Sequence, residues 1–299
     1  ANLVSVKWFG EFEFWFAAVK VVTIILMIIA GLGLIIFGIG NNFNPIGVSH
    51  LWDRGGFFTG GLSGFFFALS IVIGSYQGVE LIGISAGETK DPQKNIVKAV
   101  NGVIWRILIF YLGAIFVIVS VYPWDELGSI GSPFVATFAK VGITFAAGLI
   151  NFVVLTAAAS SCNSGIFANS RTMFGLAGRN QGPPFLHKTN KNGVPYNAIL
   201  VTCGLLGIAV ILNAIFKDAT KVFVQITTFS TVLNISIWAV IMVAYIGYLK
   251  HNPEQHKESN YRMPGGKYTA YGILVFFAFI FVILLINSST RLAVLFIPV

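Results

Sequence analysis

The dominant pattern in this sequence is a series of long apolar runs separated by short polar stretches. Each run has about 20 residues, the length at which a helix rising 1.5 Å per residue crosses a hydrocarbon layer about 30 Å thick. Inside lipid every backbone polar group must be satisfied, so only helices or closed barrels can span. Because the runs are continuous rather than alternating, they predict an all-α, polytopic membrane helical bundle.

The runs predict seven complete spans and the beginning of an eighth, which starts near Leu292 and is cut off at Val299. We expect residues 1–299 to form a single transmembrane domain, because no stretch between the spans has the composition of a soluble domain or a linker. The predicted complete spans cover residues 14–38, 62–87, 101–122, 143–169, 197–216, 222–249 and 269–288.

Composition and charge support this interpretation. The chain is 56% hydrophobic and 10% charged, whereas soluble domains have about 25% charged residues. With a cytoplasmic N-terminus, about twelve Lys and Arg residues fall in inside segments and about five in outside segments. Cytoplasmic loops of membrane proteins collect basic residues, so this bias explains the net charge of +8 without a nucleic-acid partner.

The sequence contains no catalytic constellation. It has no HExxH motif, nucleophile elbow or phosphate loop, and its two cysteines, Cys162 and Cys203, lie in apolar runs without metal-site spacing. The predicted loops hold all the histidines. We therefore expect a protein that is not an enzyme and that binds no metal or cofactor. The histidines are His50, His187, His251 and His256.

Three charged side chains lie inside predicted spans, where a charge is costly and is therefore a candidate functional residue: Lys20, Glu80 and Arg106. Lys20 lies about two turns into the first span. Its ammonium either reaches back to the cytoplasmic interface or is buried as a proton-sensitive switch. Arg106 is close to the inner end of the third span, where we expect it to reach the interface or pair with a loop carboxylate.

Residues 74–80, with the sequence GSYQGVE, interrupt the otherwise apolar second span with small and polar residues. Such a cluster is where a membrane helix can open, and an open backbone at mid-membrane is tolerated only where it lines a cavity. Transporters use such breaks to present backbone groups to a substrate. The alternative is a close-packing face between helices, with Gly74 and Gly78 at small-xxx-small spacing, but packing alone leaves Glu80 unexplained.

The fourth span contains four hydroxyl groups and one amide between residues 156 and 165. Hydroxyls can return hydrogen bonds to their own helix, which is the simplest interpretation. The cluster nevertheless exceeds what packing requires. Ser160, Ser161 and Asn163 are therefore candidates to line a pathway or to coordinate a cation or an ammonium group.

Several of these segments resemble bacterial amino acid permeases of the amino acid-polyamine-organocation superfamily. KWFGEFEFWFA at 7–17 is similar to the entry into the family's fifth helix, and GVE at 78–80 with AGETKDPQK at 86–94 resembles its sixth helix and the following loop. INFVVLT at 150–156, followed by NSR at 169–171, resembles its eighth helix. SPFV at 132–135, FGLA at 174–177 and YRMP at 261–264 favour the D-serine/D-alanine/glycine transporter group.

The resemblance implies a leucine-transporter-like fold of about twelve helices with two inverted repeats, in a multi-pass protein of the bacterial inner membrane. It also implies that this chain is a fragment, lacking the first four helices and most of the last. The first helix, which in the family holds the substrate carboxylate, would be absent. An isolated fragment should therefore not transport.

The resemblance also implies roles for the candidate residues. Gly74, Ser75 and Tyr76 would form the unwound part of the substrate-binding helix together with Gly78, and their carbonyls would accept hydrogen bonds from the substrate ammonium. Glu80 would sense protons or brace the broken helix. Lys20 would lie beside Ser160 and Ser161, its ammonium replacing a sodium ion. Many relatives have a bulky aromatic residue where this chain has Gly74.

These observations predict a secondary active transporter that imports small neutral amino acids of the D-alanine, D-serine and glycine class, coupled to protons. Its partners would be the amino acid, the proton and membrane lipid. An amino acid exchanger without proton coupling and a membrane amino acid sensor remain as alternatives. A channel is disfavoured because no span carries a filter-like motif or a ring of charges.

Overall fold

A computed structural model of the chain describes residues 2–3, 6–89, 91–142, 146–215, 219–259, 261–286 and 288–295. Within these residues the regular structure is entirely helical, which confirms the predicted all-α class. Val299 and the predicted boundaries at 143 and 216 lie outside them. The α-helices are α1 (Val6–Phe37), α2 (Gly61–Ser75), α3 (Leu81–Ile84), α4 (Pro92–Arg106), α5 (Gly113–Val121), α6 (Pro133–Lys140), α7 (Ala146–Gly178), α8 (Tyr196–Ile215), α9 (Ala219–His251), α10 (Pro253–Glu258), α11 (Gly266–Ile286) and α12 (Ser288–Leu295).

Each predicted span has a helical counterpart, but the helices begin and end at different residues. A π-helical segment, Ile107–Leu112, joins α4 to α5. The helix that corresponds to the third predicted span therefore runs without a break from Pro92 to Val121. α1 begins at Val6 rather than residue 14, and α7 continues to Gly178 rather than ending at 169. Hydropathy locates the part of a helix that lipid surrounds, whereas the backbone ladder continues into the polar flanks.

Among the residues that the structure describes, five helical stretches are long and apolar enough to cross a membrane. The counterpart of the predicted 62–87 span is shorter, because α2 ends at Ser75. Two stretches predicted as loops contain short helices, α6 and α10, each with proline in its first turn. The candidate membrane helices are Trp8–Phe37, Pro92–Val121, Gly148–Gly178, Ile226–His251 and Gly266–Ile286.

The outer surface of these helices is apolar. Val275 is 71% exposed, Ile286 72% and Val240 67%, and many other large aliphatic and aromatic side chains are also exposed. A water-soluble protein rarely exposes contiguous apolar surface on this scale. The surface therefore requires an apolar solvent, as expected of a polytopic membrane protein.

The chain divides into two compact units. The first comprises residues 1–59 and 101–208, and its core is formed where α1 packs against α5, α6 and α7. Met27, Leu34 and Val117 are completely buried there, together with Val121. This packing matters for function because it fixes α1 and α7, which carry the charged and hydroxyl side chains of one candidate site.

Lys140 contacts the chain at one end of this core. The Lys140 ammonium donates a hydrogen bond to the carbonyl oxygen of Val121, at 3.0 Å, and lies 4.4 Å from the centre of the Tyr122 ring. It thus satisfies a terminal carbonyl of α5, where a cation also complements the helix dipole. Burial lowers the pKa of Lys140, while the carboxylate of Glu126 acts in the opposite direction.

The second unit comprises residues 60–100 and 209–299. Its core lies between α2, α9 and α11, where Val232, Ile235 and Ile280 are completely buried and Ile73 is 8% exposed. Ile73 is one residue before Gly74, so the last turn of α2 is held firmly against α9. The residues after that turn form the first element of the candidate site.

Candidate substrate and proton sites

The helix that begins with α2 is interrupted at the stretch that the sequence singled out. After Ser75 the backbone makes turns: the amide of Tyr76 donates to the carbonyl of Ile73 at 3.2 Å, and that of Gln77 to Gly74 at 3.4 Å. The helical path resumes at Leu81 in α3. At Gly78 φ is +101°, in a region that favours glycine, so this residue makes the break possible.

Hydrogen bonds connect the side chain of Glu80 to the break and to α9. Both of its carboxylate oxygens accept hydrogen bonds from the amide of Gly78, at 3.2 Å and 3.1 Å. The indole N–H of Trp238 on α9 donates to Oε2 of the same carboxylate at 3.3 Å. An amide that has lost its helical partner is therefore satisfied by a side chain, which in turn is tied to a neighbouring helix.

Gly74 and Ser75 make contacts of a different kind. A Cβ atom at Gly74 would overlap Oγ1 of Thr231 on α9, so this glycine permits close approach of the two helices. The Ser75 hydroxyl donates to the carbonyl of Val72 at 2.7 Å, within its own helix. Tyr76 is half-buried at the start of the break. The proposed substrate-binding role of these residues and of Gly78 stays a prediction.

Trp238→Phe should weaken substrate binding, because it keeps an aromatic ring beside Phe277 of α11 but removes the donor to Glu80. Loss of one hydrogen bond of this kind corresponds to about a two- to tenfold decrease in affinity. The decrease in affinity is measured by binding of radiolabelled glycine to the purified full-length protein. Trp105→Phe, at a tryptophan that is 66% exposed, is the matched control. Equal affinities for the two variants would contradict the bracing role of Trp238.

The second candidate site lies in the first unit and connects α1 with α7. The Lys20 ammonium donates to the hydroxyl oxygen of Ser160 at 2.8 Å, and the Ser160 hydroxyl donates to Oε2 of Glu13 at 2.6 Å. Ser160 is only 1% exposed. The contact between Lys20 and Ser160 that the resemblance implied is thus present, and a carboxylate lies on the other side of the serine.

An amide chain extends this cluster. The side-chain amide of Asn163 donates to Oε1 of Glu13 at 2.8 Å, and Asn2 donates to both the side-chain and the backbone oxygen of Asn163, at 2.9 Å and 3.0 Å. Ser161 is not part of the cluster: it is exposed and its hydroxyl donates to Ala157 in its own helix at 3.0 Å. Of the three candidates on the fourth span, Ser160 and Asn163 are brought together with Lys20.

Sequence reasoning missed Glu13, Asn2 and Trp238. Glu13 lies before the predicted start of the first span, yet it is well inside α1. It precedes Lys20 by seven residues, which is two helical turns and places both charges on one face. This spacing was the available signal for Glu13. The sequence offered none for Asn2 or Trp238, whose partners are remote in the chain.

The remaining charged candidate behaves differently. Arg106 is exposed at the end of α4, immediately before the π-helical segment, rather than near the beginning of its helix. No group of three His, Cys, Asp or Glu side chains suited to a metal ion occurs among the residues that the structure describes. In the cluster around Lys20, the cation is the lysine ammonium and not a metal ion.

A polytopic helical bundle with one apolar helix interrupted by a glycine-containing break, and with a half-buried cluster of charged and polar side chains between two other helices, is typical of membrane transporters. The chain belongs to the amino acid permease family, whose family model matches residues 1–296. That family consists of transporters rather than enzymes, and the chain is a multi-pass bacterial membrane protein.

Individual relatives agree with this assignment. The probable threonine/serine transporter YbxG of Bacillus subtilis (strain 168) is 54% identical over 296 residues, which are 99% of this chain and 63% of the relative. The uncharacterized amino acid permease YtnA of the same organism is 48% identical over 299 residues, 100% of this chain and 64% of the relative. The D-serine/D-alanine/glycine transporter of Escherichia coli (strain K12) is 42% identical over 301 residues, 99% of this chain and 63% of the relative.

The group that the sequence motifs favoured is thus among the relatives, but the probable threonine/serine transporter is more similar, at 54% against 42% identity. The chain spans about 63% of the length of these two relatives. The activity of the whole protein is accordingly a matter for proposal.

Proposed function

We propose that the full-length protein imports small neutral amino acids in symport with protons. The observation that carries this proposal is the Lys20 ammonium at 2.8 Å from the buried hydroxyl of Ser160, which supplies a titratable cation between two helices. A cation that can lose its charge by losing a proton can couple a proton to a conformational change.

The substrate class is supported by the break after α2. The last turn of α2 directs its carbonyl end, the negative end of the helix dipole, toward the break at Gly74–Tyr76, where a substrate ammonium would be stabilised. Two relatives are named for threonine and serine, and for D-serine, D-alanine and glycine. Both sets of substrates are small and neutral, so we assign that class to this protein.

Coupling requires linkage between the two sites. Protonated Lys20 stabilises one state of the α1–α7 contact, and substrate orders the break braced by Glu80. If proton and substrate prefer the same state, each raises the affinity for the other, by about 1–3 kcal/mol in typical cases. The exposed apolar surface of the helices packs against membrane lipid throughout this cycle.

The experiment is uptake by proteoliposomes that contain the full-length protein. Radiolabelled glycine, L-serine, L-threonine, D-alanine, D-serine and L-lysine are supplied with and without an inward proton gradient. We expect gradient-driven uptake of the small neutral substrates and none of L-lysine. Uptake that requires only preloaded amino acid would replace symport by exchange, and binding without flux would replace it by a sensor.

A further inference from the structure

We infer that Glu13 is a positioning residue for the proton site: by accepting the Ser160 hydrogen it orients the lone pairs of Ser160 toward the Lys20 ammonium. The inference rests on the proposed function and adds a residue to it. It is carried by the hydrogen bonds that join the lysine, the serine and the glutamate between α1 and α7.

The chemistry of the serine sets the direction of the hydrogen bonds. A hydroxyl group has one hydrogen to donate and two lone pairs. Ser160 gives that hydrogen to Glu13 at 2.6 Å, so only its lone pairs face Lys20, at 2.8 Å. A group at this position is bound through a hydrogen of its own, which favours an ammonium. Glu13 thereby fixes the serine in the orientation that a protonated lysine requires.

Glu13 itself is held in place by two hydrogen bonds. Its two oxygens accept from two separate donors, the Ser160 hydroxyl and the Asn163 amide at 2.8 Å. Asn163 cannot turn its amide around without losing a bond, because Asn2 donates to its side-chain oxygen at 2.9 Å. The negative charge therefore stays beside Ser160, where it stabilises a positive charge on Lys20.

Loss of the proton reverses one of these bonds. A neutral Lys20 amine has a lone pair, so the Ser160 hydroxyl can turn its hydrogen from Glu13 to Lys20. Glu13 then keeps only its bond from Asn163. The proton state of Lys20 thus determines whether one or two donors connect α7 to Glu13 on α1, and such a change can distinguish two states of a transport cycle.

Few other charges face this cluster. The elements packed against α1 are α5, α6, α7 and the π-helical segment. Near the cluster, Cys162 on α7 is exposed, and Glu11 on α1 is exposed two residues from Glu13, on a different face of the helix. The other ionisable or charged side chains that the structure describes on these elements are Tyr111, Lys140 and Arg171, and Arg106 ends α4 next to the π-helical segment.

The test compares Glu13→Gln, Glu13→Asp and Glu11→Gln in the full-length protein, by the pH dependence of gradient-driven glycine and L-serine uptake. Without the Glu13 carboxylate as acceptor, the Ser160 hydroxyl is free to turn its hydrogen toward Lys20, which no longer favours an ammonium at that position. We expect the midpoint of the profile to move by about one pH unit toward acid for Glu13→Gln. Glu13→Asp should restore most of the shift, and Glu11→Gln should keep the wild-type midpoint.

The outcomes separate the two proposals. A wild-type protein that responds to protons, with an unmoved midpoint in Glu13→Gln, overturns the inference alone. A wild-type protein without any proton response overturns the proposed function and the inference with it. If Glu13→Gln does not fold in the membrane, as judged by size-exclusion chromatography, the pH midpoint of Ser160→Ala is measured instead. It keeps both charges but removes their link, and an unshifted midpoint in that variant would overturn the inference.

Discussion

Lys20→Met in the full-length protein should abolish the pH dependence of amino acid uptake. Methionine keeps most of the length of the side chain but cannot carry a proton, so the proton gradient loses its site of action. A coupling of 1–3 kcal/mol corresponds to about a five- to 150-fold effect, and we expect gradient stimulation to fall by at least about tenfold. The measurement is initial uptake of glycine by proteoliposomes between about pH 5 and pH 8, the range in which proteins tend to be most stable.

The control for Lys20→Met is Lys257→Met, at an exposed lysine of α10 that pairs with Glu254 at 3.0 Å. It removes the same charge from a polar flank and should leave the profile unchanged. A Lys20→Met variant with the wild-type pH profile would remove Lys20 from the mechanism.

The same substitution has a structural consequence that a double variant can test. Without the ammonium, the carboxylate of Glu13 is left without its countercharge beside the buried Ser160. Removing one member of an ion pair between helices destabilises the protein more than replacing both members does. We therefore expect Lys20→Met with Glu13→Gln to recover part of the thermal stability lost in Lys20→Met alone, although neither variant should respond to protons.

Gly78→Ala should abolish or strongly weaken substrate binding while membrane insertion stays intact. With φ at +101°, this residue has a backbone conformation that a side chain disfavours, and forcing it costs about 1–3 kcal/mol. Its amide also donates to Glu80, so a displaced backbone loses the brace of the break. Binding of radiolabelled glycine to the purified protein, together with its elution volume, measures both effects.

The matched variant is Gly74→Ala, which tests packing rather than backbone conformation. Its Cβ would meet Oγ1 of Thr231, so the Thr231 side chain or its helix must shift, and Gly74→Ala with Thr231→Ala should recover what Gly74→Ala loses. Gly78→Ala has no such partner and should not be rescued by Thr231→Ala. Recovery of Gly78→Ala by that change would show that both glycines act only through helix packing.

Much of the fold was predictable, because a helix surrounded by lipid has apolar side chains along its whole length. Apolar runs of about 20 residues predicted the helices, and the cluster of small and polar residues at 74–80 predicted where one of them breaks. A break at Gly78 is a local event: it needs a glycine for its backbone and lies within a few residues of its brace, Glu80. Local composition therefore identified both.

The partners of the buried polar groups were not predictable from local composition, because they come from remote parts of the chain. Ser160 is 147 residues from Glu13 and 140 from Lys20, and Trp238 is 158 residues from Glu80. The resemblance to permeases, not the pattern, placed Lys20 near Ser160, and nothing placed Glu13 there. The sequence by itself determined the solvent, the helices and the position of the break, since these depend on composition over a few turns. Only the tertiary structure decided which donor meets which carboxylate, because helix packing brings those atoms within 3 Å or so.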